Sequence, residues 1–175
     1  LVQSIPITVE RPESASSGGL ECTGIRSRYS NSKTNWIIES GEDVGTLSAR
    51  YSNSITSWEV ELPIGTASIQ SRYSNSYGDW VYAGTSGEIK IAAVYSNSVA
   101  PWRVTGASGE VLDVATVYGN SLAKWEISGI GDGMSVIATN SSNLATWRIE
   151  DRIPEIDPDL KMAAVFACII ATLIH

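Results

Sequence analysis

Five asparagines, Asn31, Asn53, Asn75, Asn97 and Asn120, each follow a tyrosine by two residues and precede a tryptophan by five. A carboxamide beside a flat aromatic ring is chemistry that grips a sugar: the amide bonds hydroxyls and the ring lies against the sugar's apolar face. Repeated along one chain, weak contacts of this kind would gain avidity. The competing reading is structural, with Trp and Tyr turned inward near one rim while Asn shapes a turn. The alternation described below places Trp in phase with aliphatic positions, which favours the structural reading. The five asparagines stay as candidate ligand-binding residues.

Other chemistry is sparse. Asp157 and Asp159, with Asp151 and Glu155 nearby, could offer oxygens to calcium, but an acidic first turn of a helix explains them as well. The single histidine, His175, has no companion for general-base work, and no phosphate loop, nucleophile elbow or CxxC pair occurs. No catalytic residue, cofactor or metal site is expected, and the chain reads as a non-enzyme. With 12 basic against 19 acidic residues and a net charge of −7, a nucleic-acid partner and generic adhesion to anionic lipid are both disfavoured.

The elements that would position these residues follow from a repeat. Tryptophans stand at 36, 58, 80, 102, 125 and 147, and seven residues before each is a tyrosine, with Asn140 in the last copy. Four residues before that position stand Ile25, Leu47, Ile69, Ile91, Val114 and Val136; two before it stand the small Ser27, Ala49, Ser71, Ala93, Thr116 and Ala138. Two after each tryptophan come Ile38, Val60, Tyr82, Val104, Ile127 and Ile149. Period-two alternation of this kind makes β-strands with one buried face. Ser-Asn-Ser supplies a turn in four copies, Gly-Asn-Ser at 119–121 and Ser-Ser-Asn at 141–143 take its place in the other two, and Gly41, Gly65, Gly87, Gly109 and Gly131 lie between copies. Each copy is therefore a β-hairpin, and the six copies give twelve strands.

Two arrangements accept such a repeat. A parallel β-solenoid of 22-residue coils would stack Arg28, Arg50 and Arg72 directly, which repels, although its asparagine ladder would be favourable. In an antiparallel meander Arg50 can face Glu59 instead, and closing the sheet removes its exposed edges. The closed meander is preferred.

The chain ends in a proline- and acid-rich stretch from Asp151 to Leu160, then Lys161 and the uncharged run MAAVFACIIATLI. As a helix over about 160–174 this run spans about 20 Å, too short for a ~30 Å bilayer core but matched to the strand height. Twelve tilted strands enclose a bore near 12 Å, about one helix wide. The expectation is an all-β domain, a closed 12-stranded antiparallel barrel around a central hydrophobic helix, without a transmembrane span. The small residues two before each tyrosine position are expected to make room for that helix.

Six hairpins followed by one hydrophobic helix resemble the tubby C-terminal-like superfamily, which includes LURP-one-related proteins and phospholipid scramblases. The junction PEIDPDLKMAAVFACIIATLIH is similar to the scramblase end, through Asp157, Asp159, Lys161, Met162 and Ala164. The resemblance implies a binding or scaffold module, with membrane lipid as a class of partner. A multivalent glycan-binding protein and a structural fibre or adhesin segment are the alternatives. Residues 1–20 are expected to be an arm and 21–175 the single domain. Leu1 to Glu10 has no basic region or long apolar core to make a signal peptide, and the missing initiator Met fits a chain excised from something longer. Cys22 and Cys168 read as two reduced thiols, with a bridge as the alternative, and a cytoplasmic or membrane-peripheral location is favoured.

Overall fold

Alternation along each copy produces paired strands, and their register shows why the copies are alike. A computed structural model describes residues 20–175 except 30, 31, 42, 75, 97, 120 and 141. Six hairpins succeed one another: β1 (Gly24–Ser27) with β2 (Asn35–Ser40), β3 (Asp43–Tyr51) with β4 (Ser54–Leu62), and β5 (Gly65–Ser71) with β6 (Asp79–Gly84). Then come β7 (Gly87–Ala93) with β8 (Trp102–Thr105), β9 (Val111–Thr116) with β10 (Lys124–Ser128), and β11 (Met134–Ala138) with β12 (Thr146–Asp151). Each strand pairs antiparallel with its sequence neighbours, and β1 pairs with β12 to close the barrel. The solenoid is thereby excluded.

On the inner face every hairpin repeats one two-by-two pattern. The tryptophan lies opposite the small residue (Ser27 with Trp36, Ala49 with Trp58, Ser71 with Trp80), and the aliphatic positions lie opposite each other (Ile25 with Ile38, Leu47 with Val60). The later copies do the same at Ala93 with Trp102, Thr116 with Trp125 and Ala138 with Trp147. By this register the small residues lie opposite the facing indole. Each tryptophan also pairs with the aliphatic residue of the next copy, as Trp58 does with Ile69, and Trp147 returns to Ile25.

The bore is filled by α1 (Pro158–Ile174), two residues longer at its start than expected. Pro158 through Ala171 are buried on every side of the helix, which only an enclosing wall allows. Phe166 packs edge-on against Trp58 and Trp80, with ring centroids 5.6 and 5.1 Å away. No helix among the described residues is long and apolar enough to cross a membrane. The expected arm lies outside the described residues except for Leu20, which is buried and whose N–H donates to the Pro154 carbonyl at 3.1 Å.

Candidate functional site

The hairpin turns gather at one end of the barrel, and several share the same local bonds. The carbonyl of the tyrosine accepts from the N–H three residues on: Tyr29 from Ser32 at 2.9 Å, Tyr73 from Ser76 at 3.1 Å, Tyr118 from Ser121 at 2.7 Å. Asn140 takes the same part in the last copy, accepting from Asn143 at 3.1 Å. The second serine of Ser-Asn-Ser then turns its Oγ back to accept the N–H two residues further, from Thr34, Thr56, Gly78 and Ala123 at 3.2–3.3 Å. Ser27 and Ser71 brace the turn from below, donating to the tyrosine carbonyl at 2.6 and 2.7 Å. In these two copies serine serves as a local backbone partner, where Ala49, Ala93 and Ala138 stand in others.

With those groups engaged, the described part of the rim exposes a ring of phenols beside its basic side chains. Tyr29, Tyr51, Tyr73, Tyr95 and Tyr118 are 56–64% exposed, a crown of equivalent rings. The inward placement expected for tyrosine is corrected: the regular ladder of β1 and β5 stops at Ser27 and Ser71, two residues earlier, and the lumen at that level is occupied by indoles. All six tryptophans are buried, and each Nε1 donates to the carbonyl three residues before it, at 2.7–3.1 Å. An indole so satisfied and enclosed is core and is closed to a sugar. Asn53 is exposed on the two-residue turn between β3 and β4, whereas Asn31, Asn75, Asn97 and Asn120 lie outside the described residues.

Beside the crown, the C-terminal end of α1 leaves two clefts. One of 490 Å³ is lined by Tyr73, Tyr77, Asp79, Trp102, Ile174 and His175. The other, of 540 Å³, is lined by Lys33, Trp36, Asn143, Leu144 and Leu173. The rim also carries a charge pattern that a search for catalytic motifs passes over. Segments 28–35, 50–55, 72–79, 94–101, 117–124 and 139–146 hold Arg28, Lys33, Arg50, Arg72 and Lys124 against Asp79 alone, in a chain of net charge −7. The opposite end collects acids, among them Asp43, Glu61, Glu88, Glu110, Asp132 and Glu155. Sorting charges by end of the barrel, and not by sequence neighbourhood, is what reveals it.

At that acidic end, the residues of the helix junction serve as anchors. Asp157 caps α1, accepting from the Asp159 N–H at 3.0 Å, and also accepts from Ser86 Oγ at 2.8 Å. Asp159 is buried; one oxygen accepts from the Tyr82 hydroxyl at 2.7 Å and the other from the Thr85 N–H and hydroxyl, both at 3.1 Å. Gly84 lets that carboxylate approach, since a Cβ there would collide with it. Lys161 is buried against Asp151 and the carbonyls of Leu20 and Pro154. The phenol of Tyr82 is pushed far up by burial and then by Asp159. Cys22 and Cys168 are free and buried, and burial raises both thiols. Among the described residues no group of three His, Cys, Asp or Glu could hold a metal ion. Comparison with protein-family models, curated proteins and solved structures finds no match to any of them.

Proposed function

We propose that this chain is a non-enzymatic binding module that takes carbohydrate across its tyrosine crown. The observation that carries the reading is the division of aromatic labour: six buried tryptophans build the wall, while five equivalent tyrosines stand more than half exposed on serine- and asparagine-rich turns. Exposed phenol faces stack on sugar rings, and the neighbouring hydroxyls and amides match sugar hydroxyls. A single such contact is weak, and a crown of them supplies effective concentration.

The test is affinity electrophoresis of the full chain in gels holding neutral or acidic polysaccharides. The chain should be retarded by at least one of them. The combined variant Tyr29→Ala, Tyr51→Ala, Tyr73→Ala, Tyr95→Ala and Tyr118→Ala should migrate freely while unfolding at an unchanged temperature. No retardation in any gel, or retardation that the variant keeps, would remove the proposal.

A second reading follows the tubby-like resemblance and makes the barrel a scaffold with membrane lipid as its ligand. Supporting it are the apolar helix inside a closed barrel and the anchoring contacts of Asp157, Asp159 and Lys161, the residues that carry the likeness. Fold alone does not assign a ligand. Sedimentation with lipid vesicles, in the absence of any polysaccharide binding, would favour this second reading.

A further inference from the structure

The crown is not uniform, and its asymmetry points to a class of ligand. In the first three copies the residue before the tyrosine is Arg28, Arg50 or Arg72; in the last three the same position is Val94, Val117 or Thr139. All three arginines are exposed. Arg28 lies over the Tyr29 ring at 5.6 Å and Arg72 over the Tyr73 ring at 5.7 Å, while Arg50 reaches Glu59 at 3.5 Å. Lys33 stands on the same arc.

We infer that this arc of three Arg-Tyr pairs is a site for an acidic glycan, a chain of sugars bearing carboxylate or sulfate groups; the inference rests on the crown being a carbohydrate surface. Each pair combines a planar guanidinium, which matches an oxyanion with two parallel hydrogen bonds, and a ring that covers a sugar face. Equivalent pairs recur on every second strand, about 10 Å apart, so a linear polymer with periodic charges can meet several at once. The acidic far end of the barrel orients an approaching polyanion toward the cationic rim. A bilayer fits the arc less well. Surfaces that enter lipid expose Trp, Phe or Leu, whereas here the Trp and Phe side chains are buried and polar residues follow the tyrosines in sequence.

Titration calorimetry of the full chain against polygalacturonate, dextran sulfate and neutral dextran tests the inference. One of the two acidic polymers should bind at least roughly tenfold more tightly than dextran, a factor one charge-assisted contact supplies, and added salt should weaken it. Arg28→Gln, Arg50→Gln and Arg72→Gln together should remove that advantage. The matched control Arg26→Gln, Arg103→Gln and Arg148→Gln, which changes net charge equally on the barrel wall, should keep it. A lysine version of the first triple keeps the charge without the fork and should fall between them. Equal weakening by the control would overturn the inference. So would dextran binding as tightly as the acidic polymers, and in that case the tyrosine variant still decides the crown reading. Binding to phosphatidylserine vesicles with no binding to any polysaccharide would overturn both.

Discussion

The Nζ of Lys161 lies 2.8 Å from a carboxylate oxygen of Asp151, and neither side chain reaches solvent. The same carboxylate accepts the N–H groups of Cys22 and Ile153, each at 3.0 Å, so one buried acid ties the entry of β1, the end of β12 and the first turn of α1. Removing one partner of such a pair leaves an uncompensated buried charge, at about 3–5 kcal/mol. Lys161→Met should lose about that much in urea unfolding. Asp151→Ala should lose at least as much, because it orphans two amides as well as the ammonium. Near-native stability of either variant would contradict the anchoring role.

Trp58 and Trp80 flank Phe166 and are wholly buried. Truncating either to alanine should cost about 3–5 kcal/mol, as for other large-to-small changes in packed cores. Replacement by phenylalanine keeps most of the volume but leaves the carbonyl of Ile55 or Tyr77 without its indole donor. That variant should fall between wild type and alanine, with polysaccharide binding preserved. Loss of binding without loss of stability would return tryptophan to the ligand surface.

The repeat made most of this architecture readable from residue types alone. Trp58 shares its phase with Val60, and the hydrophobic run after Lys161 matches the strand height; together they force a closed sheet around a helix. Arg50 does meet Glu59, at 3.5 Å across the hairpin. Phase misled at the rim, because alternation carries information only while the ladder lasts. Tyr29 has the inward parity of Ile25 and Ser27, yet the β1 ladder ends at Ser27 and the ring emerges into solvent. The Asp159–Tyr82 bond was equally hidden, since 77 residues separate partners whose meeting depends on closure of the whole barrel.

Burial pushes the Cys22 thiol from 9.0 up to about 11, with Lys161 pulling it down and Asp151 and Glu21 adding to the rise. Below 9.0 both the folded and the unfolded thiol hold their proton, so the shift leaves stability unchanged there. Between 9.0 and about 11 the unfolded thiol ionises while the folded one does not, and stability falls with rising pH. Across that window the loss should be about 2–3 kcal/mol, and Cys22→Ala should flatten the profile by a similar amount. Tyr82, raised by burial and Asp159, extends the decline above 10.0. Urea titrations at several alkaline pH values check the slope; an unchanged slope in the Cys22→Ala variant would contradict this origin. Both thiols should also resist alkylation until the chain unfolds, since the thiolate is the reactive form.

Deleting the chain after Leu160 removes what fills the barrel. Met162, Val165, Phe166, Ile169 and Ile170 are each buried to within 1% of completely. At about 1.5–3 kcal/mol per side chain, their loss is comparable with the whole ~5–15 kcal/mol by which a domain is stable. The deletion also removes Lys161, leaving Asp151 buried without its ammonium partner, and opens an apolar bore lined by indoles to water. A void that size cannot be closed by small shifts, because hydrogen bonding between β1 and β12 fixes the circumference. The truncated chain should therefore be insoluble, or compact without a cooperative thermal transition, and should bind hydrophobic dyes. The complete chain should unfold in one sharp step. If the truncated chain gave a sharp calorimetric peak and protected strand amides, the barrel would be self-supporting and the helix dispensable, which the burial of every face of α1 contradicts.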